Sequence, residues 1–380
     1  MIYLLFAYMT YPFVFILSRL CGGRGKRRER DSILVFQTAK IGDMICATPV
    51  FREIKRVHPS WRLGVAIDWV SEPVIRHNPH IDEIIIIDRK KTKGLMGKLM
   101  LARSLRKKDY SAALILLPNA TNILAAFWAM IPERVSVYPD YLGRTLKELL
   151  TFNTALVYHL YPKTALETYL EALRPFGIAK CENTAKEVYP PPGAAARFAG
   201  FFRDADEPFV GIALSTGNAM KDWGRKNFAE LAREVIASTD AAIVLFGTER
   251  DAPLAIEIAG SINKNRRVEN LCGGASLEEL PALIKGLSLM IGVDTGLIYM
   301  ADALGVPVID IAGPCNMIDQ RPTGGKAQII QRNDVGCIPC SHTFRAPYEC
   351  RYGDRRCVAG ITVDDVMKRV FNVIPGRDAA

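Results

Sequence analysis

The sequence predicts an α/β protein of two doubly wound domains, each a parallel sheet covered by helices on both faces. Three observations carry this. Apolar runs of strand length alternate with helix-length segments along most of the 380 residues. The strand runs are apolar on both faces, as strands buried on both sides must be. The alternation occurs twice, and a proline-rich break separates the two series. The length fits two to three domains.

In the first series, ILVFQ (33–37) reads as a strand, followed by the loop TAKIGD and a helix over 43–57 that stops at His58-Pro59. RLGVAID (62–68), EIIIID (83–88) and AALILLP (112–118) read as further strands. A short helix follows Ser71-Glu72-Pro73, and another covers 95–107. The break at 187–207 contains Pro190, Pro191 and Pro192, which no sheet interior tolerates and which suit a linker. The second series follows with strands at 208–214, 241–247, 267–273, 287–294 and 306–313. Its helices lie at 227–238, 253–262, 276–286 and from Asp294-Thr295-Gly296 to about 304. The expected organisation is two Rossmann-like domains, 31–186 and 208–335, facing a cleft between them, with a Cys-rich tail and amphipathic helix over 336–380.

Residues 1–18 carry no charge and are rich in large apolar side chains, and the run RGKRRER follows at 24–30. Positive charge before the apolar stretch and a small-residue cleavage site are both missing, so a cleaved signal is not expected. The basic flank is expected to keep the rest of the chain in the cytoplasm, so residues 1–30 read as an uncleaved membrane anchor or interfacial helix, with a packed apolar helix or a misassigned start as the alternative. The net charge is +9, and Arg19, Arg24, Lys26, Arg27, Arg28 and Arg30 against Glu29 place +5 of it there. A basic face for nucleic acid is therefore not expected.

The loops that follow strands are where open α/β sheets bind ligands. The first, Thr38-Ala39-Lys40-Ile41-Gly42-Asp43, is neither G-x-G-x-x-G nor a P-loop, which disfavours a nicotinamide oxidoreductase. It offers a flexible Gly42, a basic Lys40 and a carboxylate. Asp43 is either the helix N-cap or a general base for a hydroxyl. After the strand at 208–214, Thr216, Gly217 and Lys221 supply room and donors for phosphate, although Lys221 also reads as an ordinary surface lysine. The run Val293-Asp294-Thr295-Gly296-Leu297 places an acidic cap and a glycine at a helix N-terminus whose dipole favours a diphosphate.

Several runs together resemble glycosyltransferase family 9, the heptosyltransferases. IGDMICATPVFREIK (41–55) and NPHIDEIIIID (78–88) resemble its first half. KDWGRKNFAELA, FGTERD, NLCGGASLEEL and VDTGLIYMADALGVPVIDIAGP resemble its second, in order, over about residues 32–370. The resemblance implies the GT-B fold, an ADP-heptose donor and an acceptor in the lipopolysaccharide core at the cytoplasmic face of the inner membrane. It implies Asp43 as catalytic base, Lys221 as a donor-phosphate ligand, and Thr216, Gly217, Asp294, Thr295, Gly296 and Leu297 around the diphosphate and sugar. Lys40 and Gly42 then belong to the acceptor-side loop. Asp251, or Glu249 on the same turn, would hold the ribose. Where the family usually has His, this chain has Tyr299, which donates a hydrogen bond without charge. Inversion with charge stabilisation by Lys221 and a helix N-terminus, and no metal, is the implied mechanism.

The Asp204-Ala-Asp206 pair lies in the expected linker and reads as solvated acids rather than a magnesium site. Cys337, Cys340, Cys350 and Cys357, with His342, have one C-x₂-C but not the paired spacing of a zinc ribbon. Structural zinc, paired thiols and plain packing all remain readings. His58, His77, His80 and His159 fall in no chemical constellation. Alternatives on the same fold are a transferase using another nucleotide sugar, a nucleotide-sugar epimerase, and a non-catalytic nucleotide- or glycan-binding member.

Overall fold

The computed structural model describes residues 2–22, 31–202, 207–262 and 267–377. The chain forms two compact units, Met1–Thr184 and Ala185–Ala380. The Asp204 and Asp206 pair and the basic flank 24–30 lie outside the described residues.

The first unit carries six parallel strands: β1 (Ser32–Gln37), β2 (Arg62–Ile67), β3 (Glu83–Ile86), β4 (Ala112–Ile115), β5 (Glu133–Pro139) and β6 (Ala155–His159). Their order is β3-β2-β1-β4-β5-β6, with Val35 opposite Val65 on one side and Leu114 on the other. β1, β2 and β4 are buried almost throughout, and this is why their apolar runs were readable. β5 and β6 escaped the sequence reading because they lie toward one edge of the sheet, keep half-buried positions and mix polar residues and proline into their runs.

The helices of this unit are α1 (Ile2–Gly22), α2 (Ile41–Val57), α3 (Glu72–Ile75), α4 (Gly94–Lys108), α5 (Ala120–Trp128), α6 (Arg144–Leu150) and α7 (Ala165–Glu171). The strand order reverses between β1 and β4, so right-handed crossovers put α4, α5 and α6 on the face opposite α2. One apolar cluster joins α4, α5 and α6 to Leu34, Phe36, Ala113 and Ile115 of the sheet, and α1 docks on it through Phe6, Ala7 and Val14. Phe6 meets Trp128 edge-on, and Trp128 Nε1 donates to Thr10 Oγ1 at 3.1 Å. Among the described residues, no helix is long and apolar enough to cross a membrane.

The second unit repeats the topology with β7 (Phe209–Ala213), β8 (Ala242–Phe246), β9 (Val268–Asn270), β10 (Leu289–Val293), β11 (Val308–Ile311) and β12 (Ala327–Ile330), in the order β12-β11-β10-β7-β8-β9. Its helices are α8 (Ala194–Phe198), α9 (Arg225–Ser238), α10 (Ala252–Ser261), α11 (Leu280–Ile284), α12 (Gly296–Ala303), α13 (Arg356–Ala359) and α14 (Val363–Val370). β12, half-buried throughout at the sheet edge, was not legible in the sequence. The helix expected over 276–286 shortens to α11, because Ser276 and Glu279 close a hydrogen-bonded turn and Pro281 sits at the helix start.

One expectation about organisation is corrected. The described part of 187–207 is not a linker: α8 packs on α11, Phe202 meets Phe209 edge-on, and Arg197 pairs with Glu279. In 336–380, Val358, Ile361, Val366, Met367 and Val370 enter the core cluster formed with α9 and the sheet. Trp223 Nε1 donates to Ile361 O at 2.8 Å and fixes that return.

The start of the second unit is secured by a buried ion pair. Lys186 Nζ lies 2.7 Å from Asp302 Oδ2 and 2.8 Å from Thr323 Oγ1, with both charged side chains almost fully enclosed. Asp302 also accepts from the amides of Thr323 and Gly324. Asp302→Ala leaves the Lys186 ammonium buried and unpaired and is expected to cost about 3–5 kcal/mol. The check is the urea midpoint of the variant; an unchanged midpoint would show that Lys186 finds water instead.

Candidate active site

In the second unit, the loops after β7, β8 and β10 emerge at one carboxyl edge from three neighbouring strands. The strand order reverses between β7 and β10, which is where open α/β sheets form a ligand crevice. Lys221 and Asp294 meet there. A short turn over Ala219–Lys221, capped by Asn218 Oδ1 on the Met220 amide, brings Lys221 Nζ to the Asp294 carboxylate and within 3.2 Å of its carbonyl oxygen. Asp294 is buried. Its Oδ1 accepts from Tyr299 OH at 2.8 Å, and its Oδ2 accepts from Cys315 Sγ at 2.9 Å as well as from Lys221.

The electrostatics follow from this enclosure. Burial opposes ionisation of Asp294, but the Lys221 ammonium and the Cys315 and Tyr299 donors together hold its carboxyl below the usual range. Burial likewise opposes a charged Lys221, and the Asp294 carboxylate overrides it and raises the lysine above its ordinary value. Both shifts favour the charged forms, so the pair is intact from about pH 4 to about pH 10, between the unfolded-state values of the two groups. The cost falls on neighbours. Burial and the Asp294 charge push the Cys315 thiol and the Asp310 carboxyl well up. Asp310, on β11, is fully buried, and neither carboxyl oxygen has a hydrogen-bond partner among the described residues.

Thr295 is the extended N-cap of α12, and its hydroxyl is buried without a partner among the described residues. Gly296 and Leu297 form the half-exposed first turn. Thr216 and Gly217 lie on the β7 loop, with Thr216 Oγ1 accepting from the Asn218 amide. The structure separates the two acids after β8. Asp251 Oδ2 accepts from the Thr248 amide and hydroxyl and from Ser215 Oγ at 2.7 Å, closing a capping box ahead of α10. Glu249 is exposed on the same turn.

In the first unit, the strand order reverses between β1 and β4. Lys40 occupies the N-cap position of α2, three residues before Asp43. Asp43 sits in the first turn, half-buried, and its charge contributes to the raised pKa of the enclosed Tyr169 phenol. Gly42 precedes it in the same turn. Asn119 and Asn122 donate to Thr38 Oγ1 at 3.2 and 3.0 Å and tie the β1 and β4 loops together.

The remaining candidates separate clearly. His58 Nε2 bonds Phe176 O and stacks on Trp61, and His159 Nδ1 bonds the Thr168 hydroxyl, so both are packing residues. Among the described residues, no group of three or more His, Cys, Asp or Glu side chains is placed to hold a metal ion. Cys357 is buried, Cys340 is exposed, and His342 is engaged by Asp319 and Asn316. Sequence reasoning missed Cys315, Asp310 and Ser215. Only their positions just beyond or near strand ends marked them, and such positions are equally common in plain loops.

The structure is similar to solved glycosyltransferases. The glycosyl transferase family 9 structure from Veillonella parvula DSM 2008 superposes with a TM-score of 0.72 at 19% identity, covering 92% of this chain and 99% of that one. The ADP-heptose lps heptosyltransferase II of E. coli gives 0.67 at 20%, covering 90% and 98%. The fold is therefore that of the two-sheet α/β transferases of the GT-B class. In sequence, the lipopolysaccharide heptosyltransferase 2 of Salmonella typhimurium is 25% identical over 310 residues, 79% of this chain and 87% of the relative. The model of glycosyltransferase family 9 (heptosyltransferase) matches residues 98–348, about two thirds of the chain. The chain belongs to this family and is a glycosyltransferase.

Asp310 gives a test of the site's electrostatics. Its folded pKa is raised, so the native state binds a proton that the unfolded state has lost, and this group makes stability fall as pH rises above about 4. Asp310→Asn removes that slope. The variant is expected to match the parent near pH 4 and to gain on it by about 1.4 kcal/mol per pH unit above that, until the folded pKa is reached. Denaturation curves at several pH values check this, and parallel pH profiles would refute a protonated Asp310.

Proposed function

We propose that this glycosyltransferase moves a heptose from ADP-heptose to a hydroxyl of the lipopolysaccharide core, or of a related glycolipid, at the cytoplasmic face of the inner membrane. The observation that carries the donor half is the Lys221–Asp294 pair at the N-terminus of α12, in a member of the heptosyltransferase family. A diphosphate there meets a fixed ammonium, the α12 amides and the unpartnered Thr295 hydroxyl. Thr216 and Gly217 line the same edge, and Leu297 borders the sugar. Glu249, exposed where Asp251 is committed to capping, takes the ribose hydroxyls.

The reaction is a single displacement. Asp43 removes the proton from the acceptor hydroxyl as its oxygen bonds to the anomeric carbon, and Lys40 and Gly42 shape that loop. The bond from the anomeric carbon to the diphosphate breaks on the opposite side, its electron pair leaves with ADP, and the configuration inverts. Lys221 and the α12 N-terminus stabilise the charge that develops on the diphosphate, so this reading requires no divalent cation. Tyr299 keeps Asp294 oriented through a neutral hydrogen bond, and the site functions without the usual histidine. Residues 1–30 hold the enzyme at the membrane that carries the acceptor.

Asp43→Asn is expected to lower kcat by about 10²–10⁴-fold while ADP binding stays unchanged, because base and donor site are separate groups. Retained turnover would sink the base assignment. Lys221→Ala removes a charge-assisted contact of about 1.5–3 kcal/mol, an expected loss of roughly ten- to 150-fold in ADP affinity by calorimetry. Binding of UDP or GDP in preference to ADP would keep the displacement chemistry and change the donor.

A further inference from the structure

The described face of α1 that does not dock on the first unit is as apolar as the face that does. Phe6, Ala7, Thr10 and Val14 turn toward α5 and α6, whereas Leu5, Met9, Phe13 and Ile16 form a second stripe at helical spacing and are 54–68% exposed. α4 packs on α5, the helix on which α1 also docks. The outer stripe of α4, Met96, Met100, Arg103 and Lys107, is also exposed. Between Asp88 and Asp109 the chain carries nine lysines and arginines and no acid; Arg89, Lys91 and Lys108 pair with Asp68, Asp88 and Glu83 and Lys98 is buried, which leaves Lys90, Lys93, Arg103, Arg106 and Lys107 on the surface.

We infer that this helix layer is a docking face for an anionic bilayer surface, on which α1 lies in the plane of the headgroups, its outer stripe buried and the α4 cations seated on lipid phosphates. The inference rests on the reading that the acceptor is a membrane glycolipid, and it specifies how the enzyme meets that membrane. Large apolar side chains bordered by a one-signed basic stretch match an interfacial helix on anionic lipid. A second copy of the chain is a poorer occupant, because a two-fold contact sets the basic stretch against itself. A bilayer-crossing α1 would have to give up the Trp128–Thr10 hydrogen bond and the Phe6–Trp128, Tyr8–Phe152 and Tyr11–Phe127 contacts.

The test is co-sedimentation of the full chain with vesicles of equal parts phosphatidylcholine and phosphatidylglycerol, and with phosphatidylcholine alone. The expected result is binding to the first that high salt weakens and alkaline carbonate releases. Leu5→Ser/Met9→Ser/Phe13→Ser should abolish it with thermal stability retained, since these side chains point away from the packed face. Arg103→Gln/Lys107→Gln, which leaves α1 untouched, should weaken it about thirtyfold. Equal binding to both vesicles with resistance to carbonate would overturn the proposal in favour of a spanning helix. A dimer that the serine variant converts to monomer, with vesicle binding unchanged, would overturn it in favour of self-association. Absence of binding by the intact chain would also overturn it. Transfer from ADP-heptose to a delipidated core acceptor, measured in parallel, reports on the enzymatic reading separately, because none of the substituted residues belongs to the candidate site.

Discussion

A carboxylate enclosed in protein must be matched by donors or give up its charge, and Asp294 is the group on which the second unit's candidate site is arranged. Three side chains from different parts of the chain converge on it: Lys221 from the β7 loop, Tyr299 from the second turn of α12, and Cys315 from beyond β11. Each brings its own backbone to the same sheet edge. The ammonium is thereby held at the N-terminus of α12, and in the proposed reaction a fixed charge of this kind needs no rearrangement when the leaving group develops its own. The neighbouring Asp310 bears the consequence, since burial and the Asp294 charge push its carboxyl well above the usual range.

The same economy of enclosure explains why the chemistry stands at strand ends. Both sheets are parallel and covered on both faces, so their interiors admit little besides Val, Ile, Leu, Ala and Phe. Polar groups are expelled to the carboxyl edges, where loops and helix N-termini supply amides and hydroxyls. Asp43, Lys221, Glu249 and Thr295 all lie in such loops or the first turns after them. Among the described residues the outer face of α1 departs from hydrophobic burial, with Leu5, Met9, Phe13 and Ile16 exposed.

Parts of this arrangement were legible in the amino-acid order. The buried central strands announced themselves by runs without polar interruption, and Asp43, Lys221 and Asp294 by following such runs immediately. β5 and the edge strands β6 and β12 did not, because half-buried positions accept polar residues and erase the periodicity. Asp251 and Glu249 were equivalent as letters two residues apart. Three dimensions distinguish them, because Ser215, thirty-six residues earlier, commits Asp251 to the turn. The excess charge also looked concentrated near the N-terminus, while the acid-free stretch through α4 passed unnoticed until its helix proved to pack on α5, as α1 does.

Local sequence alone determined the two α/β series, the residues available at each strand end and the apolar character of the N-terminal segment, because burial on both faces of a sheet and helix capping are constraints acting within a few residues. Tertiary structure decided what those residues do to one another. It placed Cys315 and Tyr299 on Asp294, buried Asp310 beside that charge, drew the proline-rich stretch and the C-terminal helix into the second core, and divided α1 into a docked and an exposed face. Those outcomes depend on contacts between segments far apart in the chain. Hydrophobic burial and charge pairing are set by proximity in space, which residue order expresses only after folding.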